Sequence, residues 1–186
     1  MLSLSDNDRR SILELARHAV MEAVCRQRLL EEIPHIEIFQ KRCGVFVTLH
    51  VRGKLRGCIG VIESNEPLGQ EIIKCAAGAA LDDPRFHPMQ STDLEDLEIE
   101  VSILSPLRRI RPEDIQIGMH GLLVQQAGRR GLLLPQVALE YKLTREDFLA
   151  ETCHKAGLPR DTWKAHDTLI FSFTCEIVEQ EKKPAS

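Results

Sequence analysis

Apolar residues recur along this chain with two periods, and each change of period marks a new element. Ile12, Leu15, Ala16, Ala19 and Ala23 follow helical spacing behind Ser5 and Asp8, a cap residue and an acidic residue three positions on. This spacing predicts an N-terminal helix over 5–28, closed off before Pro34. Val45, Val47, Leu49 and Val51 then alternate with Phe46, Thr48 and His50, Arg52-Gly53-Lys54 makes a turn, and Leu55 to Ile62 returns. That pattern is a core hairpin over 44–62. Pro67 suits the first turn of a second helix whose inner face carries Leu68, Ile72, Cys75, Ala76 and Ala79. The small residues from Cys75 to Ala80 predict a helix that approaches its sheet closely.

Asp82-Asp83-Pro84-Arg85-Phe86-His87-Pro88 breaks that helix into a stiff loop dense in functional side chains. Leu97, Ile99, Val101 and Ile103 alternate with Glu98, Glu100 and Ser102, an edge or half-exposed strand with one polar side. Leu122–Gln126 and Gly131–Leu134 flank Ala127-Gly128-Arg129-Arg130 as another hairpin, and Leu134 to Ala138 turns into a short helical segment. Thr144 with Asp147 forms a capping box for a helix whose face holds Phe148, Leu149, Thr152, Cys153 and Ala156, and Gly157-Leu158-Pro159 stops it. A last strand from about 168 to 179 places Leu169, Phe171, Phe173, Cys175 and Ile177 on one side. The order of hairpins and helices predicts an α+β fold, a mainly antiparallel sheet with flanking helices.

Composition narrows the function classes. With 186 residues, 43% hydrophobic and 28% charged, the chain is long enough for one well-buried domain, with disorder expected only at its ends, including a flexible tail from about 180. A net charge of -4 gives no broad cationic field, so neither nucleic acid nor an anionic membrane is an expected partner. The local groups Arg108, Arg109, Arg111 and Arg129, Arg130 read as solvated turn residues. No apolar run reaches the ~20 residues that span a bilayer, and no signal peptide precedes the first helix. Six cysteines without a C-x-x-C pair fit reduced thiols in a cytoplasmic protein. Cys25, Cys75, Cys153 and Cys175 read as small core residues.

The chemistry concentrates in Lys54-Leu55-Arg56-Gly57-Cys58-Ile59-Gly60. Gly57 and Gly60 add no packing to a strand and mark a bulge, or a place where a ligand or another backbone comes close. Strand alternation places Arg56 and Cys58 on one side, ~7 Å apart at their α carbons, and a cation beside a thiol favours the thiolate. The opposite reading is a buried cysteine beside an arginine that pairs elsewhere.

Gly44-Val45-Phe46-Val47-Thr48-Leu49, Leu55-Arg56-Gly57-Cys58-Ile59-Gly60, Asp83-Pro84-Arg85-Phe86, Leu134-Pro135-Gln136-Val137-Ala138 and Lys155-Ala156-Gly157-Leu158-Pro159, in this order, resemble the AMMECR1-domain family over nearly the whole chain. The resemblance implies one domain over 1–186 with a larger and a smaller lobe, the hexapeptide lying near the groove between them, and a poorly defined biochemical role. In microbes the family is similar to the A component of the AmmeMemoRadiSam system, which implies a Memo-like and a radical SAM protein as partners. This chain has no C-x-x-x-C-x-x-C, so iron-sulfur chemistry belongs to such a partner, and no cofactor of its own is expected. Three positions depart from the family pattern: His87 replaces a second proline, Leu143 a frequent tryptophan, and His154 a lysine or arginine.

Three functions fit these residues. In the first, Arg56 and Arg85 present guanidinium forks to a small anionic ligand, Gly57 and Gly60 let it approach the backbone, and Asp83, Glu100 and Ser102 complete a polar rim. An internal Asp83–Arg85 pair is the competing reading of those two. In the second, Cys58 is a nucleophile with backbone amides near Gly57 and Gly60 as an oxyanion hole. His87 and His154 are the histidines best placed by sequence to serve as its base, and His50 lies on the adjoining strand, on the same face or the opposite one depending on register. The third is a non-enzymatic docking module using the groove together with Leu143 and Trp163. Neither spacing nor ligand count predicts a metal site from Cys58, His50, His87 or His154.

Overall fold

The computed structural model describes residues 4–180. In chain order the elements are α1 (Asp6–Arg26), β1 (Val45–Val51), β2 (Lys54–Val61), α2 (Leu68–Leu81), β3 (Leu97–Leu104), β4 (Arg108–Arg109), β5 (Gly121–Gln126), β6 (Arg129–Leu133), α3 (Pro135–Glu140), α4 (Arg145–Lys155), β7 (Leu169–Phe173) and β8 (Cys175–Glu179). The fold is α+β with antiparallel sheets, as the alternation of hairpins and helices predicts. The helix expected over 5–28 spans Asp6–Arg26, with Ser5 and Asp8 forming its reciprocal cap, and the hairpin expected over 44–62 runs from Val45 to Val61. The tail beyond 180 lies outside the described residues.

Two compact units divide the chain. The first comprises residues 4–104 and 176–180, built on a four-stranded sheet in the order β2-β1-β3-β8. Val45, Val47 and Leu49 of β1 and Ile99, Val101 and Ile103 of β3 point to one face and join Ile12, Leu15, Ala16 and Ala19 of α1 and Leu68, Ile72 and Ala76 of α2 in a single core. Each Val, Leu or Ile side chain so removed from water contributes roughly 1.5–3 kcal/mol. β1 and β2 are joined through Arg52 and Gly53 with φ of 53° and 70°, the paired positive values of the tight hairpin turn that matches strand twist. Here β3 lies between β1 and β8, an interior strand with one polar face.

The second unit, Ser105–Cys175, holds a sheet in the order β4-β7-β5-β6. Phe148, Leu149 and Cys153 of α4 bury against Leu122 and Val124 of β5 and Ile170 of β7. Leu143 and Trp163, the side chains expected to dock a partner, are half-buried and pack against this core. Its ends meet: the Ser105 amide donates to the Thr174 carbonyl at 2.9 Å, and the Thr174 amide donates to Ser105 Oγ at 2.9 Å.

Two expectations are corrected. The single strand over 168–179 is interrupted at Thr174, and β7 and β8 belong to different sheets. Its inner residues are Ile170, Ser172, Phe173 and Val178, whereas Ile177 is 36% exposed. Both parities of this segment carry apolar residues, so alternation alone does not fix its inner side. Among the cysteines, Cys43, Cys75 and Cys153 are buried, but Cys25 is exposed and Cys175 is half-buried. Among the described residues no helix is long and apolar enough to cross a membrane.

Candidate functional site

The hexapeptide lies on β2, the edge strand of the first sheet. Gly57 pairs with Leu49 and faces the helices; a Cβ there would lie 1.9 Å from the Ala79 carbonyl oxygen of α2. The close approach anticipated from the run of small residues is thus a main-chain contact with Gly57. Gly60 pairs with Phe46, whose ring would meet a Cβ at 2.3 Å. Both glycines are accounted for by neighbours within the protein, a backbone in one case and an aromatic ring in the other.

Cys58 pairs with Thr48, which pairs on its other side with Glu100. Because Val47 and Leu49 point into the core, Thr48 and Cys58 share the opposite face, and His50 lies on it too. Thr48 Oγ1 donates to Cys58 Sγ at 3.3 Å. In an antiparallel pair every second residue turns both main-chain groups away from its partner, and at Cys58 these groups meet the 83–85 loop. The Cys58 amide donates to Asp83 Oδ2 at 2.9 Å, and Arg85 Nη2 donates to the Cys58 carbonyl at 3.4 Å. The Asp83–Arg85 pair therefore stands in for a neighbouring strand at this position and blunts the open edge.

Asp83 is 4% exposed and also accepts from the Arg85 amide at 3.1 Å, from Nε at 3.0 Å and from Nη2 at 2.7 Å. The Arg85 hydrogen bonds, joined by that from the Cys58 amide, hold its carboxyl well below the usual carboxylate range despite burial. The same bonds raise the Arg85 pKa, with a smaller contribution from the charge of Asp83. The internal pairing of Asp83 with Arg85 is realised, and the Arg85 head group remains 56% exposed above the Phe86 ring, 5.3 Å from its centroid.

The relation expected between Arg56 and Cys58 does not hold. The β1–β2 register shifts between Leu49 and His50: Leu49 pairs with Gly57 and His50 with Leu55, leaving Arg56 as the extra residue of a bulge. Alternation is interrupted there, and the Arg56 guanidinium donates to the carbonyls of His87 and Pro88 and lies 3.7 Å from Asp93. The cation beside Cys58 is Arg85, brought from the next loop. Ser102 is 1% exposed and donates its hydroxyl to Glu100 Oε1 at 3.2 Å, so it is sealed into the sheet and forms no rim.

A cleft of about 520 Å³ is lined by Arg56, Pro84, Arg85, Phe86 and His87. It gathers the two arginines and leaves Cys58 outside its walls. Another cleft of about 500 Å³ holds Cys25, Asp82 and Met89 among its lining and no cationic side chain. Thr48, Asp93 and Phe86 are the partners that the sequence did not single out. Thr48 needed the register of β2, and Asp93 needed the path of the 87–93 segment. His154 is exposed on α4, 3.9 Å from Glu151. Burial pushes the Cys75 thiol up to about 12, so that group stays protonated at neutral pH. Among the described residues no group of three or more His, Cys, Asp or Glu side chains is placed to hold a metal ion.

Comparison with known proteins sets this geometry in context. The sequence model of the AMMECR1 family matches residues 13–178. The Thermococcus kodakarensis protein TK0174 is 43% identical over 194 residues, covering 97% of this chain and 94% of that protein. A Methanothermobacter thermautotrophicus protein is 39% identical over 188 residues, covering 96% and 97%. The crystal structure of uncharacterized protein PH0010 from Pyrococcus horikoshii matches with a TM-score of 0.89 at 39% identity, covering 96% of this chain and 94% of that one.

Proposed function

This chain belongs to the AMMECR1 family, and from that premise we propose that it recognises a small anionic ligand in the cleft between Arg56 and the 84–87 loop. In this reading it acts with a Memo-like and a radical SAM protein in modifying a small molecule or a protein. One observation carries the ligand half: two guanidinium groups from separate elements line one cleft, and Arg85 is anchored from behind by the buried Asp83. A cation fixed in this way recognises an anion without first losing its own side-chain freedom. Asp83 positions Arg85, and Arg56 ties the 87–88 backbone to β2 while lending its charge. The partner half follows from the family resemblance.

Thermal unfolding at fixed ionic strength tests the ligand half. Phosphate or sulfate in place of chloride is expected to raise the midpoint; ten times the dissociation constant corresponds to about 1.4 kcal/mol. Arg85→Gln is expected to abolish the response. An equal response to all salts in wild type and variant would remove the cleft as an anion site. Copurification with the two partner proteins, from wild type and from Arg56→Ala, tests the other half; unchanged recovery of both excludes this face from docking.

A nucleophilic Cys58 is the second reading, favoured by His50 on the same sheet face and by Arg85, whose Nη2 lies 3.4 Å from the Cys58 carbonyl. Its test is the rate of alkylation against pH in wild type and Cys58→Ser. A Cys58-specific rate that follows the titration of an ordinary thiol sinks this reading.

A further inference from the structure

We propose that the occupant of the Arg56–Arg85 cleft is a phosphate monoester, a tetrahedral dianion on a small organic body, and not a carboxylate. The inference rests on the anion reading above and names its ligand class. Arginine recognises a carboxylate through two parallel N–H groups, a planar fork that fits two coplanar oxygens. On Arg85 the Nε and Nη2 fork is already taken by Asp83, at 3.0 and 2.7 Å, and Nη2 also reaches the Cys58 carbonyl at 3.4 Å. On Arg56 both terminal nitrogens are committed, Nη1 to the His87 carbonyl and Nη2 to the Pro88 carbonyl at 3.3 Å, with Asp93 at 3.7 Å.

What remains is Arg85 Nη1 and Arg56 Nε, for which no protein acceptor is present among the described residues, and the exposed His87 ring. These are separate donors on different residues, with no intact fork among them. A phosphate group has three terminal oxygens spread in three directions and accepts one bond from each of several donors. A carboxylate is matched best by a parallel pair of donors, and neither arginine has such a pair free here.

Size supplies the organic body. A volume of about 520 Å³ is that of a small-molecule site and exceeds the needs of one inorganic ion. Pro84 and the half-buried Phe86 give the same cleft an apolar wall. An ester with an aromatic or aliphatic group fills that wall while its phosphate meets the arginines.

Titration calorimetry on the full chain, with phenyl phosphate, inorganic phosphate and benzoate at equal ionic strength, tests the proposal. Phenyl phosphate is expected to bind at least tenfold tighter than benzoate and several-fold tighter than inorganic phosphate. Arg85→Gln is expected to weaken it at least tenfold; should that variant fail to fold, Arg56→Gln is expected to weaken it several-fold. Benzoate binding as tightly as phenyl phosphate overturns the ligand class while leaving the anion site standing. Inorganic phosphate binding as tightly as its ester overturns the organic body. No heat with any of the three anions overturns both this inference and the anion reading beneath it.

Discussion

Asp83→Ala is expected to lower the free energy of unfolding by about 2–4 kcal/mol, because two part-buried amide donors lose their acceptor together. Those donors are the N–H groups of Cys58 and Arg85, at 2.9 and 3.1 Å from the carboxylate. The guanidinium contributes less to the loss, since its 56% exposed head group regains water when the carboxylate goes. Asp83→Asn keeps one acceptor oxygen and is expected to fall midway. The carboxyl is held below its ordinary value of 3.8, so the folded state resists its protonation. Its stabilisation is therefore complete above about pH 4 and is lost as the pH falls from there toward the folded pKa, where the unfolded chain takes up the proton first. Urea unfolding of wild type and Asp83→Ala from pH 7 down to pH 3 checks both parts. The gap should be widest at neutral pH and narrow in acid; a gap below about 0.5 kcal/mol at pH 7 would show that the strand edge does not depend on this residue.

Gly57→Ala is the second change with a large expected effect, about 3 kcal/mol of destabilisation or more. Its methyl group would sit 1.9 Å from the Ala79 carbonyl oxygen, an atom held by the helix backbone, so no side-chain rotation relieves the overlap. Either β2 or α2 must shift, and Cys58, Asp83 and Arg85 are carried by those two elements and the loop that follows them. Gly60→Ala meets the Phe46 ring at 2.3 Å, and a ring gives way more easily than a backbone. Denaturant midpoints should therefore rank wild type above Gly60→Ala above Gly57→Ala. The reverse order between the two variants would mean that the α2 backbone yields more readily than the Phe46 ring.

Local chemistry made much of the fold legible. Ser5 with Asp8 and Thr144 with Asp147 announce their helices through reciprocal caps that the structure reproduces, and β1 fully buries only one parity, Val45, Val47 and Leu49. Long-range pairing was less legible. The segment around Thr174 is apolar on both parities, so only its two different sheet neighbours decide which side turns inward. At the candidate site, Asp83 and Arg85 were readable as an ion pair because they lie two residues apart in a stiff loop. The bulge that diverts Arg56 was not, since a register shift between Leu49 and His50 exists only once β1 and β2 are aligned. Sequence distance suggested Arg56 as the neighbour of Cys58, and the turn after α2 delivers Arg85 instead.

The bonded ends of the Ser105–Cys175 unit carry an architectural consequence. Its first residue and Thr174 hold each other through two main-chain donors, while β3 and β8, which lead into and out of it, lie side by side in the other sheet. To that sheet the whole insertion is a long loop whose closure is already secured, and closure entropy grows only slowly with loop length. Tips within the insertion, such as the Ala127-Gly128 turn, are where added or removed residues disturb that closure least. The host scaffold and its guest are thereby free to diversify at different rates.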